Sequence, residues 1–255
     1  MGTNVLVTND DGFDSGFLRV LVEELREVFS VTVAAPDGER SWIGRAVSRH
    51  TNLKVVEDDS LGCRGYRISG TPTDCVNLAL GCLEIEPPDV VVSGINLGFN
   101  TTQPLILSSG TVAGALEGAF WGLPALALSQ MIPEGMFEKV HANSHDLEPE
   151  FAEGLRWAAN RAVKMVRERI GTGGHPPLVH NINFPVGTGP ETEVVRTVPA
   201  GLKMGCLFEK AGDGDFRFRF SKGTRINDHE GTDIAALERG KISLSVLDFS
   251  RFGEL

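Results

Sequence analysis

Three short runs in this chain place oxygen donors where β-rich stretches end. Asn9-Asp10-Asp11-Gly12 follows the run Asn4 to Thr8, Pro36-Asp37-Gly38-Glu39-Arg40-Ser41 follows Val31 to Ala35, and Ser93-Gly94-Ile95-Asn96 closes the run that begins at Asp89. Adjacent carboxylates repel and raise each other's pKa, a cost that a divalent cation removes. Carboxylates, a hydroxyl and an amide, with no His or Cys interleaved, suit Mg²⁺ or Mn²⁺ rather than zinc. Alone, Asn9 to Gly12 reads equally well as a helix cap with Gly12 making the turn; the two companion loops favour the metal. A second device is Ser108-Ser109-Gly110-Thr111, ahead of an apolar stretch from Val112. Exposed backbone N–H groups at a helix N-terminus suit an anion. A plain Ser/Thr cap competes with that reading, and Ser69-Gly70-Thr71 opens another helix in the same way. The loop at Ser109 differs in sharing its connection with Asn96. A metal beside an anion pocket is an arrangement for hydrolysing a phosphate ester. Arg40 and Arg45 rank below these residues as substrate contacts.

Other chemistries lack their residues. There is no Gly-x-Ser-x-Gly elbow for a serine hydrolase, no P-loop, and no GxGxxG opening a helix after the first strand. His141 and His145 have HxxxH spacing, but no Glu follows His141, and the polar stretch Lys139 to Asp146 reads as a solvated loop. The 34 acidic and 24 basic residues leave a formal charge of −10. That balance opposes a nucleic-acid polymer or an anionic membrane as partner, so an anionic substrate needs a local device. No apolar run approaches the roughly 18 to 20 residues of a membrane span. Met1-Gly2-Thr3-Asn4 lacks the basic start and apolar stretch of a signal peptide, which makes the cytoplasm the expected compartment. The four cysteines show no CxxC pair and read as reduced packing residues.

The elements that must position these donors alternate. Strands at Asn4 to Thr8, Val31 to Ala35, Val90 to Val92, Ala125 to Ser129 and Leu178 to Phe184 are separated by helical patterns at Ser15 to Phe29, Pro72 to Leu83, Val112 to Trp121 and Glu148 to Ile170. Thr71 is the expected N-cap of the second helix, with Pro72 at its first position and Asp74 in its first turn. Mixed β segments are expected over Val47 to Val56, and a long loop from Gly94 to Thr111. Such alternation predicts an α/β fold: a Rossmann-like three-layer core around a mostly parallel sheet. Ligands of such sheets bind outside the carboxyl ends of the strands, where all three donor runs fall. The core is expected over residues 1–185. Residues 186–255 read as a β-rich C-terminal extension and oligomerisation element, since Phe216 to Phe220 and Ile242 to Val246 alternate strictly as antiparallel strands do.

Five motifs occur in the order found in the SurE stationary-phase survival family, and the chain resembles that family over roughly residues 4 to 185. They are Val7-Thr8-Asn9-Asp10-Asp11-Gly12, Ala35-Pro36-Asp37-x-Glu39-Arg40-Ser41, Ser69-Gly70-Thr71-Pro72-Thr73-Asp74-Cys75, Ser93-Gly94-Ile95-Asn96-x-Gly98-x-Asn100 and Ser109-Gly110-Thr111-Val112. Asn181 to Pro185 also resembles the family, and Gly231-Thr232-Asp233 does so more loosely. The resemblance implies one divalent metal ion per subunit held by Asp10, Asp11, Ser41 and Asn96. It implies phosphate contact by Asn96 and by Ser109, Gly110 and Thr111. It further implies hydrolysis of nucleoside 5'- and 3'-monophosphates, short polyphosphate as an additional substrate, and a homodimer or homotetramer. Asp10 and Asp11 are the candidate catalytic residues. One departure stands out. Between Asn100 and Ser109 the family carries a Gly, an Asp and a Tyr, whereas this chain has a longer stretch with Ser108 in the aromatic's place.

That altered loop keeps a second class of function open, a nucleotide-binding regulator without catalysis. A haloacid-dehalogenase-like phosphatase shares the strand-end Asp but needs Asp-x-Asp, and the carboxylates here are adjacent.

Overall fold

The computed structural model describes residues 2–142, 149–172, 176–227 and 229–251. His145, His175 and the expected helix start at Glu148 lie outside the described residues. The strands are β1 (Asn4–Thr8), β2 (Ser30–Pro36), β3 (Val55–Glu57), β4 (Arg64–Ile68), β5 (Val90–Leu97), β6 (Ala125–Gln130), β7 (Leu178–Phe184), β8 (Val194–Thr197), β9 (Leu202–Lys203), β10 (Phe208–Lys210), β11 (Phe216–Phe218), β12 (Thr224–Arg225) and β13 (Ile242–Asp248). The helices are α1 (Gly16–Arg26), α2 (Pro72–Gly81), α3 (Gln103–Ser108), α4 (Gly110–Phe120), α5 (Phe137–Ala142), α6 (Pro149–Arg169) and α7 (Asp233–Glu238).

Nine strands form one sheet in the order β3-β4-β2-β1-β5-β6-β7-β13-β8. All pairs from β4 through β7 are parallel. The period-2 geometry of a strand sends alternate residues to opposite faces, and both faces here are apolar. Val5, Val7, Val90 and Val92 join Leu18, Leu21 and Leu25 of α1 and Leu155, Ala158 and Ala162 of α6. Leu6, Ala34 and Val91 join Val76 and Ala79 of α2 on the other face, where α4 covers Ala125 and Ala127. Two helices on each face give the three layers expected. The chain leaves β1 toward β2 and β4, then returns through α2 to β5 on the far side of β1. The topological switch point therefore lies between the carboxyl ends of β1 and β5, where an open α/β sheet binds its ligand.

Several expected segments differ. Of the Val47–Val56 stretch only Val55 and Val56 become strand, as the start of β3, antiparallel to β4. The long loop from Gly94 is shorter than expected, because β5 continues to Leu97 and Gln103 to Ser108 forms α3. Of the stretch Lys139 to Asp146, expected as a solvated loop, Lys139 to Ala142 lies in the helix α5, with Val140 supplying its buried contact, and residues 143–146 lie outside the described residues. Beyond residue 185, β13 enters the main sheet, antiparallel to β7 and parallel to β8. The same segment makes two small ribbons, β10 with β11 and β9 with β12. All four cysteines are free thiols, with Cys75 buried. Among the described residues no helix is long and apolar enough to cross a membrane.

Candidate active site

The structure brings the three strand-end loops together at the switch point. The Arg40 N–H donates to the Asp10 carbonyl at 2.7 Å, and the Phe13 N–H to the Pro36 carbonyl at 2.8 Å, tying the β1 loop to the β2 loop. The Leu97 N–H donates to Asp11 Oδ2 at 2.9 Å, tying the β1 loop to the end of β5. β5 reaches that point through an irregularity, because its register with β6 shifts between Ser93 and Asn96. Such a bulge re-aims the residues after it. Gly94 makes this possible: its φ is +131°, and a Cβ there would stand 2.3 Å from the Leu128 carbonyl oxygen.

Asp10 is buried. Burial pushes its carboxyl above the ordinary carboxylate range, against the opposing effect of hydrogen bonds from the Thr111 hydroxyl and backbone. Burial pushes Asp11 well above that range, with the charge of Asp10 as the next cause. Two acids that each disfavour their own charge, side by side, fit a site for a cation. The atoms around them point the same way. Asn9 gives its Nδ2 to the Gly12 carbonyl at 2.9 Å. Its Oδ1, Thr8 Oγ1 and Ser93 Oγ are buried without a partner among the described residues. Buried polar atoms in native proteins are normally paired, so orphaned oxygens mark room for a water or an ion. Asp10, Asp11, Ser41 and Asn96 offer oxygen donors only, the donor chemistry of a hard cation rather than of zinc.

Ser41 is exposed and donates its hydroxyl to Glu39 Oε1 at 2.6 Å. Asn96 is half-buried and gives Nδ2 to the Gly98 carbonyl at 2.9 Å, which leaves its Oδ1 as the acceptor. Ser109 caps α4, its Oγ accepting from the Val112 N–H at 3.1 Å. Gly110 lies against Asp10: a Cβ added there would be 2.8 Å from Asp10 Cβ. The Thr111 hydroxyl, expected to meet phosphate, donates to Asp10 Oδ1. The positive end of α4 thus already faces a carboxylate of the site. Arg40 and Arg45 turn their guanidinium groups elsewhere, to Asp37 at 2.8 Å and to Glu117 at 2.6 Å.

Three residues that the sequence reading did not assign also belong here. Glu39 bridges Ser41 and His141, whose Nε2 lies 3.0 Å from Glu39 Oε2. The Ser41 hydroxyl is the main cause holding the Glu39 carboxyl below its ordinary value, and His141 contributes further lowering. His141 lines a cleft of about 110 Å³ with Asp11, Gly12, Asp14, Asp37 and Leu97. That space suits an ion and a few waters, so a nucleotide-sized ligand, which needs at least ~300 Å³, would extend over its open rim. The third residue is Asp233, at the start of α7. Its Oδ2 accepts from the Thr102 N–H at 2.8 Å, and its Oδ1 from Ala200 at 3.0 Å and Ile234 at 2.8 Å. Asn181 and Asn183 of β7 hold the Asn100 carbonyl at 2.8 and 3.2 Å. The connection from Asn96 to Ser109 is thereby pinned from β7 and from the C-terminal helix. His141 carried no local signal, lying 102 positions from Glu39. Asp233 carried only the short motif Gly231-Thr232-Asp233.

Comparison with known proteins gives one family. The profile described as Survival protein SurE matches residues 5–204. A protein of Methanothrix thermoacetophila named 5'-nucleotidase SurE is 35% identical over 263 residues, covering 98% of this chain and 96% of that protein. One of the same name from Natronomonas pharaonis is 37% identical over 260 residues, covering 96% and 92%. The crystal structure of a SurE protein from Aquifex aeolicus superposes with a TM-score of 0.70 at 29% identity, over 96% of this chain and 93% of that one.

Proposed function

The chain belongs to the SurE survival-protein family, and from that premise we propose that it is a divalent-metal-dependent 5'-nucleotidase. It hydrolyses nucleoside 5'-monophosphates, with 3'-monophosphates and short polyphosphate as further substrates. The observation that carries this reading is the Asp10–Asp11 pair at the switch point, with buried Asp10 facing the N-terminus of α4 and half-buried Asp11 lining the cleft. The names of the relatives support the substrate class.

Asp10, Asp11, Ser41 and Asn96 would hold the cation, Mg²⁺ or Mn²⁺. When bound, it would offset the paired carboxylate charge and polarise the phosphoryl group. The protein supplies the arrangement. Thr111 orients Asp10, and the Leu97 amide orients Asp11 through Oδ2. Asn96 offers its Oδ1, and the N-terminus of α4 at Ser109, Gly110 and Thr111 would provide positive potential for the added charge on phosphorus. Donors fixed before the reaction cost no reorganisation when that charge develops. The same reading carries a homodimer or homotetramer, for which Phe216 on the C-terminal ribbon offers an exposed ring.

Phosphate release from a panel of nucleoside 5'- and 3'-monophosphates, with Mn²⁺ or Mg²⁺ and then with EDTA, tests the proposal. Metal-dependent release is expected, with Asp10→Asn lowering it by at least about 10²-fold. Undiminished release by Asp10→Asn in EDTA sinks the metal reading. No release with any metal, from folded protein that still binds nucleotide, favours the regulator instead.

A further inference from the structure

Trp42 directly follows the candidate ligand Ser41 and adopts φ +59°, a left-handed conformation that a bulky residue rarely takes. The residue is 38% exposed. It rests on the C-terminal ribbon, with ring centroids 5.1 Å from Phe218 and 6.0 Å from Phe220. The Trp42 loop is fixed beside the anion device, since the Gly44 N–H donates to the Ser108 carbonyl at 2.9 Å. Both ends of the ribbon are anchored at the same edge of the sheet. At one end the Gln103 N–H donates to Ala200 at 3.0 Å; at the other Lys222 Nζ meets Glu134, in the loop after β6, at 2.7 Å. The ribbon therefore starts near the β6 and β7 side and meets the β2 loop on the other side of β1. The Asp10–Asp11 pair lies between those two anchorages.

We propose that Trp42, backed by Phe218 and Phe220, is the stacking platform for the nucleobase of the substrate. The proposal rests on the nucleotidase reading and adds to it the recognition of the base. The geometry argues for it in three steps. A phosphate at Ser109 to Thr111 and the cation ligand Ser41 bracket the start of the Trp42 loop. A nucleotide places its base one ribose away from its phosphate, and Trp42 is one residue along from Ser41. A large, partly exposed aromatic side chain held by two further rings loses little entropy when a base stacks on it. Every base has a π-face, so such a platform separates nucleotides from baseless esters and tolerates all four bases. Stacking of this kind acts equally on ground and transition states, so it lowers KM and leaves kcat alone.

The experiment compares adenosine 5'-monophosphate with ribose 5-phosphate, which has the same phosphate and sugar and no base. The preference for the nucleotide in kcat/KM is expected to fall about tenfold or more in Trp42→Ala, through KM, and to be retained in Trp42→Phe. Phe218→Ser with Phe220→Ser is expected to lower it partly by freeing the indole. Tryptophan fluorescence in EDTA gives a readout without turnover. Adenosine 5'-monophosphate should quench it, ribose 5-phosphate should not, and Trp42→Phe should lose the quenching while Trp121 and Trp157 remain. Metal-dependent hydrolysis with a preference unchanged in Trp42→Ala overturns the platform and leaves the nucleotidase reading standing. Quenching that requires Trp42, in a protein that hydrolyses neither ester, keeps the platform and removes the nucleotidase reading. An altered oligomeric mass in Trp42→Ala with an unchanged preference assigns the ring to a subunit contact and also overturns the platform.

Discussion

Two helices in this protein open with the same residues and end in different chemistry. Ser69-Gly70-Thr71 precedes α2, and Ser109-Gly110-Thr111 opens α4. Each helix end faces a carboxylate, as the partial positive charge there favours. At α2 the carboxylate comes from the helix itself. Asp74 Oδ2 accepts from the Thr71 N–H at 2.9 Å, and Thr71 Oγ1 accepts from the Asp74 N–H at 3.1 Å, a closed capping box. Asp74 also accepts from the Ser48 N–H at 3.1 Å, so its lone pairs serve the scaffold. At α4 the carboxylate is Asp10, 101 positions away in sequence, buried and next to the half-buried Asp11. The glycines match even in detail: a Cβ on Gly70 would stand 2.8 Å from Asp74 Cβ, and one on Gly110 2.8 Å from Asp10 Cβ. At α4 the counter-charge is delivered by another element that also bears other donors, which leaves that end open to a ligand. When the helix supplies its own, the end is closed.

The glycine pair offers the sharpest way to break this contrast. Gly110→Ala should push Asp10 out of place and lower kcat/KM for adenosine 5'-monophosphate about 10²-fold, the scale of an ångström-sized misplacement. Gly70→Ala should instead cost about 1–3 kcal/mol of stability by overpacking, with the turnover of folded enzyme kept. Phosphate release and urea unfolding of both variants decide it; equal losses of activity would erase the distinction. Asp74→Ala comes next, with a smaller effect. It removes the capping box and leaves the Ser48 amide without its acceptor, for a loss of about 1–2 kcal/mol. Its melting temperature should still rise on adding Mn²⁺, as a ligand that binds only the folded state requires. A variant that melts without any response to Mn²⁺ would place Asp74 in the site.

The smallest effect concerns an acid at neither helix end. The Ser60 hydroxyl and then Arg67 hold the Asp58 carboxyl down at about 2, from an ordinary 3.8. A lowered folded-state pKa contributes stability above the unfolded value that disappears as pH falls through the folded value. Melting temperatures from about pH 5 to about pH 2 should therefore fall less steeply in Asp58→Asn than in the parent. Identical slopes would mean that this partly exposed cluster contributes nothing measurable, as surface ion pairs often do. Asp58 is held by partners and shifts down, whereas burial shifts Asp10 and Asp11 up.

Much of this was legible beforehand. The strand at Val5 to Val7 and the strand at Val90 to Val92 read correctly because parallel strands buried on both faces are continuously apolar. Thr71 and Asp74 read correctly because a cap is a local matter of three or four residues. The donor runs at Asp10, at Ser41 and at Asn96 were visible as strand-end loops. Less was visible where partners lie far apart in sequence. Thr111 looked free for phosphate until the fold brought Asp10 to its hydroxyl. His141 lay in a polar stretch without periodicity and became helical through tertiary contact at Val140, beside Glu39. The run from Gly94 to Thr111 read as a loop because its small polar residues hide the bulged end of β5.

The sequence by itself determined the layers and the chemistry on offer. Apolar alternation sets which strands are buried, and each donor type sets what it can bind. Only the tertiary structure showed which carboxylate each of the two Ser-Gly-Thr openings faces, Asp74 of the same helix at α2 and the distant Asp10 at α4. It also decided that Asp233, at the far end of the chain, pins the loop between Asn96 and Ser109. Those pairings join residues roughly a hundred or more positions apart, and no local propensity encodes them.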